Sequence, residues 1–279
     1  MLAAYIFTLF VTSLLGNVFA VPPIECTCSD PSLCNPLDIP VLQDKEFYGF
    51  LLTPSNWKTY NFTVLTTACV AGIHNLDPDM LCEARANNAR VTAITEGFPK
   101  AQLANASYRQ SWVKSNIEMM QQYRLDGLNL DFEDWVKDPV LVAGLSSLVR
   151  ELNAAVKAVS THRQFTVDVA WSPNGIDERD YDYKTIADNS DGIFVMAYDE
   201  RSQVFGTPDC LAGANSPIAN AAAGLANFSA LPVPASKMIL GMPWYGYRYE
   251  CVPGTDPAAA ECPISRTLWR NATCSDAVG

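Results

Sequence analysis

Only two histidines, His74 and His162, occur in 279 residues, a scarcity that argues against a mechanism built on imidazole. There is no Gly-rich phosphate loop, no Gly-x-Ser-x-Gly elbow and no His-Glu-x-x-His pair, so nucleotide binding, serine hydrolysis and zinc peptidase chemistry all lack their residues. Basic residues are short as well. The 19 Lys and Arg stand against 30 Asp and Glu for a net charge of -11, which argues against nucleic acid as a partner because phosphate binding needs clustered cations. The acid excess suits work at acidic pH, where protonation relieves self-repulsion. No metal or cofactor is expected, since Cys26-Thr27-Cys28 is too tight for a usual zinc knuckle.

The first 20 residues carry no charge and end Val18-Phe19-Ala20 before Val21-Pro22-Pro23, as a signal peptide with a small-residue cleavage site would. They lack the usual basic n-region, and an uncleaved anchor is the alternative, because the apolar run to about Ile24 is long enough to span a bilayer. No later segment reads as a membrane span. Nine cysteines behind an export signal point to disulfides, with Cys26, Cys28 and Cys34 at one end and Cys251, Cys262 and Cys274 at the other. The odd number leaves one thiol free, paired between chains or deprived of a partner. Sequons at Asn61, Asn105, Asn227 and Asn271 fit passage through the endoplasmic reticulum.

A Cys/Pro-rich segment over about 21–44 precedes seven apolar runs that read as strands: 47–52, 64–70, 91–95, 125–133, 165–172, 192–199 and 238–245. Between them, 141–160 repeats Leu and Val at helical spacing after Asp138 as N-cap and Pro139 in the first turn. A second helix is predicted over 108–124, with Trp112, Met119 and Tyr123 on one side, and alanine-rich 219–223 is a third. Strands alternating with helices imply a parallel α/β sheet, open or closed into a barrel. The barrel domain is expected over 45–249, and 250–279 reads as the start of an inserted segment.

Carboxylates are the remaining candidates for chemistry. Along Asp126-Gly127-Leu128-Asn129-Leu130-Asp131-Phe132-Glu133, strand alternation puts Asn129, Asp131 and Glu133 on one face and Leu128, Leu130 and Phe132 on the other. Gly127 marks a close backbone approach. Glu133 stands where strand passes into loop, the end at which parallel barrels do their chemistry. Burial near Phe132 and Trp135 and the charge of Asp131 would both favour its protonated form, as a general acid requires. Asp131 lies about 7 Å away on the same strand, a poor position for flanking a sugar from the opposite side. By analogy with known substrate-assisted glycosidases, a sugar with a 2-acetamido group would avoid the difficulty: its own carbonyl oxygen would attack, with Asp131 orienting the amide and Glu133 protonating the leaving oxygen.

These eight residues resemble the Asp-Gly-x-Asp-x-Asp-x-Glu signature on the fourth barrel strand of glycoside hydrolase family 18, the chitinase family. Met196-Ala197-Tyr198-Asp199 is similar to its sixth-strand Met-x-Tyr-Asp, and Gly241-Met242-Pro243-Trp244-Tyr245-Gly246 to its seventh-strand Gly-x-Pro-x-Tyr-Gly. The resemblance implies a TIM (β/α)8-type barrel with Glu133 as acid, Asp131 as orienter and Tyr198 hydrogen-bonded to the acetamido carbonyl. Asp199 and Tyr245 would line the sugar subsite, Asp126 and Asn129 would tune the acids, and Asp168 would reach the interior. More narrowly, 168–173, 194–200 and 243–247 resemble a lysosomal branch of the family that cleaves the GlcNAc-β1,4-GlcNAc core of asparagine-linked oligosaccharides, and a monomer is expected. The alternative is a non-catalytic, sugar-binding lectin on the same scaffold.

Three departures stand out. Asn129 replaces the central Asp of the signature, which the lysosomal branch tolerates. Ala93-Ile94-Thr95-Glu96-Gly97 stands where chitinases have Ser-x-Gly-Gly, weakening the case for a polymer cleft. The resemblance also implies an eighth strand bearing a tryptophan, whereas the sequence stops at Gly279 within the segment before it. The expectation is therefore seven strands with the eighth missing, as in a fragment, a truncated isoform or an incomplete gene model.

Overall fold

Seven parallel strands follow one another in chain order: β1 (Tyr48–Leu51), β2 (Thr67–Val70), β3 (Arg90–Ile94), β4 (Gly127–Leu130), β5 (Gln164–Ala170), β6 (Gly192–Met196) and β7 (Met238–Gly241). The structure is a computed structural model and describes residues 24–41, 45–53, 56–200, 210–256, 258–259 and 261–264. The expected leader, Asn271 and Cys274 lie outside the described residues. Among the described residues five α-helices occupy the connections, α1 (Pro78–Ala86), α2 (Ala106–Gln122), α3 (Pro139–Val159), α4 (Tyr183–Asp188) and α5 (Ile218–Ala230).

The sheet curls far enough for distant strands to meet across its interior. Tyr48 on β1 hydrogen-bonds Thr166 on β5 at 3.1 Å, and the Phe50 and Phe194 rings of β1 and β6 stand edge to face at 4.9 Å. This is a nearly closed barrel, in agreement with the expected fold class. Among the described residues no ladder joins β1 to β7.

Local sequence explains the elements. Asp138 caps α3 by accepting from the Val140 N–H at 2.7 Å, and Pro139 supplies a preset φ where no N–H is needed. The 21-residue α3 has the length and apolarity of a membrane span, contrary to expectation, but its Leu145, Leu148, Val149, Leu152 and Val156 are buried in the core. Gly127 permits the approach of β5: a Cβ there would lie 2.0 Å from the Gln164 carbonyl oxygen.

The fourth strand ends earlier than its residue pattern suggests. Ladder pairing stops at Leu130, opposite Val167, and the chain from Asp131 onward turns to other partners. The Tyr181 hydroxyl donates to the Phe132 carbonyl at 3.2 Å and to that of Asp134, while Val136 bridges to Arg179.

The N-terminal segment closes the bottom of the barrel. Its Leu33, Cys34, Leu37 and Ile39 carbonyls accept from Arg85, Arg124, Arg163 and Arg90, and the Cys28–Cys82 disulfide ties it to α1. Cys26–Cys34 and Cys251–Cys262 are also bonded, and Cys210 is in a disulfide. The Cys26, Cys28 and Cys34 sulfurs lie within 4.8 Å of one another, yet disulfides consume all three, leaving no thiolate for a metal. Cys69 on β2 is the free thiol among the described cysteines, fully buried and pushed up to about 12 by that burial.

Candidate active site

The ends of β4, β5 and β6 bring Asp131, Glu133, Asp168 and Tyr198 together. Asp131 is pushed up to about 6, chiefly by burial and then by the charge of Glu133, with Arg179 opposing. Burial also holds Asp168 well above the ordinary carboxyl range, reinforced by Asp131 and opposed by a hydrogen bond from Asn129. Tyr198 is raised by burial and then by the charges of Asp168, Glu133 and Asp131, so these groups share one electrostatic neighbourhood. Asp131 Oδ1 is buried and has no hydrogen-bond partner among the described residues.

Glu133 is not the desolvated acid that its apolar neighbours suggest. Phe132 packs into the core, Trp135 is 52 % exposed under the Lys100 ammonium, and the Glu133 side chain itself is 47 % exposed. The Arg179 guanidinium meets Glu133 Oε2 at 2.8 Å. Burial raises the neighbouring carboxyls of Asp131 and Asp168.

Asn129 faces the interior and donates to both Asp168, at 2.7 Å, and Thr166, at 3.0 Å. Asp199 adopts a left-handed backbone, φ 52°, and its carboxylate accepts from the hydroxyls of Tyr245, at 2.7 Å, and Tyr247. Asn215 accepts from the Asp199 N–H at 2.7 Å and donates to the Tyr245 carbonyl at 3.1 Å, tying the β6 and β7 ends together. The Tyr198 and Tyr245 rings stand edge to face at 6.4 Å. Trp244 of the seventh-strand motif is 93 % exposed and thus not core.

Asp126 does not join this cluster, and its expected role in tuning the charge of Asp131 is corrected. It precedes β4 whereas Asp131 follows it, a separation of roughly 16 Å at the strand rise. Its carboxylate is buried at the barrel bottom, accepting from Arg85 at 3.2 Å, the Leu37 N–H at 2.6 Å and the Val91 N–H at 2.9 Å.

The sequons differ in what their side chains do. Asn61 is exposed, Asn105 caps α2 by accepting from the Tyr108 N–H, and the Asn227 amide donates to Ser172 at 3.3 Å. Arg179 and Asn215 are the site residues that sequence reasoning missed. Arg179 is a lone cation in Asp177-Glu178-Arg179-Asp180-Tyr181-Asp182, which is a usable signal; Asn215 carries none.

A profile of the Glycosyl hydrolases family 18 matches residues 93–277, a span that includes all of these β4, β5 and β6 residues. The chain belongs to that family. Among curated relatives, it is 41 % identical over 257 residues to a protein named probable di-N-acetylchitobiase 2 of Dictyostelium discoideum, covering 91 % of this chain and 66 % of the relative. It is 36 % identical to the di-N-acetylchitobiase of Rattus norvegicus, over 91 % of this chain and 67 % of that one. The chain thus spans about two thirds of the length of these relatives. The fold is also similar to a family 18 N-acetylglucosaminidase of Paenibacillus barengoltzii, with TM-score 0.63 at 17 % identity over 77 % of this chain and 73 % of that one. A Cycas revoluta class V chitinase mutant solved in complex with (GlcNAc)3 gives TM-score 0.58 at 23 % identity, covering 70 % and 67 %. At such identities these two likenesses bear on the fold alone.

Proposed function

We propose that this chain is a retaining glycosidase that hydrolyses the GlcNAc-β1,4-GlcNAc core of asparagine-linked oligosaccharides by substrate assistance. The observation that carries the reading is Asp131 Oδ1, a buried acceptor with no donor among the described residues, in the electrostatic neighbourhood of Glu133 and Tyr198. An acetamido N–H supplies that donor. Asp131 then turns the sugar's carbonyl oxygen toward the anomeric carbon, and the Tyr198 hydroxyl donates to that oxygen. As the carbonyl oxygen forms its bond to the anomeric carbon, the glycosidic bond breaks with its electron pair on the leaving oxygen, which takes the proton of Glu133. Water next attacks the anomeric carbon and gives a proton back to Glu133, restoring the acetamide with net retention.

Asp199 and Tyr245 line the sugar subsite in this reading, while Asn129 and Asp168 set the charge beneath it. The export-type leader, the sequons and the acid balance support delivery through the secretory pathway to the lysosome, where the chain acts as a monomer on GlcNAc-containing oligosaccharides. The names of the curated relatives support the same substrate class.

The test is turnover of chitobiose-core oligosaccharides at about pH 4–5 by the unaltered chain beside Glu133→Gln, which should lose on the order of 10²–10⁴ in rate. Equal turnover by both would remove Glu133 from the chemistry. Sugar binding with no turnover by either would make the chain a lectin.

A further inference from the structure

Arg179 is only 3 % exposed, and among the described residues its Nη2 alone has hydrogen-bond partners: Glu133 at 2.8 Å and Asp177 at 3.2 Å. Its Nε and Nη1 are buried without any. Placing a guanidinium out of water is costly unless it is well paired, and the backbone is bent to achieve this placement. Gly175, Asp177 and Glu178 have φ of 68°, 52° and 59°, values uncommon for Asp and Glu. The loop is then fastened to the one bearing Glu133. The Val136 N–H donates to the Glu178 carbonyl at 3.1 Å, the Asp180 N–H donates to the Val136 carbonyl at 3.0 Å, and Tyr181 holds the Phe132 and Asp134 carbonyls. The backbone is thus held on both sides of Glu133 while the guanidinium takes its carboxylate. An ion pair serving the core alone would bury both partners, whereas Glu133 remains half open to the barrel mouth.

We propose that Arg179 is a positioning residue: it holds Glu133 by Oε2, leaves Oε1 to carry the proton toward the sugar, and receives the negative charge that stays on Glu133 after transfer. This rests on the reading of Glu133 as proton donor. As the bond from the anomeric carbon to the leaving oxygen breaks, its electron pair goes to that oxygen and the proton passes to it from Oε1. The acetamido carbonyl oxygen forms the new bond to carbon. A guanidinium gripping only one carboxyl oxygen steadies the resulting carboxylate without occupying the oxygen that gives the proton.

Phenyl and dinitrophenyl β-glycosides of N-acetylglucosamine separate this role from a structural one, because phenoxide needs a proton to depart and dinitrophenoxide does not. Arg179→Gln should lower kcat on the phenyl glycoside on the order of 10²-fold and on the dinitrophenyl glycoside less than about tenfold, the same contrast expected of Glu133→Gln. KM should change little, and Arg179→Lys should recover part of the loss. Equal losses on both glycosides would make Arg179 structural and overturn the proposal. A contrast in Glu133→Gln without one in Arg179→Gln removes Arg179 alone, and no contrast in Glu133→Gln removes the proton donor and this role with it. If Arg179→Gln does not fold because buried Asp177 loses its Arg179 counter-charge, the Asp177→Asn/Arg179→Gln double variant relieves that charge and is judged on the same two substrates.

Discussion

The Asn129 side chain on β4 donates its amide nitrogen to Asp168 on β5 across 2.7 Å, with both residues buried inside the barrel. This contact joins the strand carrying the candidate acids to its neighbour, and it is a main reason why the interior tolerates a buried carboxyl. Burial and the charge of Asp131 push Asp168 upward, and the Asn129 amide opposes them by stabilising the ionised form.

Replacing that donor by an acceptor should therefore be felt as a loss of stability that depends on pH. Asn129→Asp puts a second carboxyl beside Asp168 and removes the hydrogen bond, at a cost of about 1–3 kcal/mol near pH 7. A carboxyl raised in the folded state contributes stability at low pH that disappears as pH rises, so the loss should shrink in acid. Urea midpoints at about pH 4 and about pH 7 decide the matter; the same loss at both would show that the two carboxyls do not interact.

Asp131 gives the same sign with a defined window. Its carboxyl is raised to about 6 from an ordinary 3.8. Its favourable contribution is complete below 3.8 and lost as pH climbs through about 6, a change of about 3 kcal/mol. Asp131→Asn removes this dependence. Relative to the unaltered chain, the variant should gain stability between those two pH values and hold a constant margin above them. Parallel stability profiles for the two proteins would contradict the burial of this carboxyl.

Much of this arrangement is legible in the residue order, and the illegible parts have specific causes. The seven apolar runs all became strands, because buried parallel strands need continuous apolar side chains. The Asp138-Pro139 start of α3 is equally plain, since both residues act through their immediate neighbours. The end of β4 is not plain. Polar and apolar residues go on alternating through Glu133, while the ladder stops at Leu130 because Tyr181 and Arg179, some fifty residues away in sequence, capture the following backbone. Asp126 misleads for a related reason: adjacency to the acids hides that it lies before the strand and they lie beyond it. Arg179 sits among acids that read as a solvated surface, and only the folded loop reveals that it is buried against Glu133.

Asp126 and Arg85 should consequently behave as a structural pair. Both side chains are buried and their charges meet at 3.2 Å. Asp126→Ala leaves the buried Arg85 guanidinium without its counter-charge and the Val91 and Leu37 N–H groups without their acceptor, so a loss of about 3–5 kcal/mol in unfolding free energy is expected. The kcat of the folded fraction should stay near that of the unaltered chain. A variant of full stability but altered kcat would return Asp126 to the chemistry.

Asn215 offers the converse case, a residue whose removal should touch binding more than folding. It holds the Asp199 N–H and the Tyr245 carbonyl, and Asp199 in turn accepts from the Tyr245 hydroxyl. Asn215→Ala removes the amide that keeps these two groups in register, yet it leaves Glu133, Asp131 and Tyr198 with their own supports on β4 and β6. Losing one or two such hydrogen bonds is worth about 1–2 kcal/mol, or about 5–30-fold in KM with kcat little changed. The measurement is steady-state kinetics on a chitobiose-core substrate together with the thermal midpoint. A fall in kcat at constant KM would mean that Asn215 acts on the reacting atoms, and the subsite assigned to Asp199 and Tyr245 would then have to be placed elsewhere.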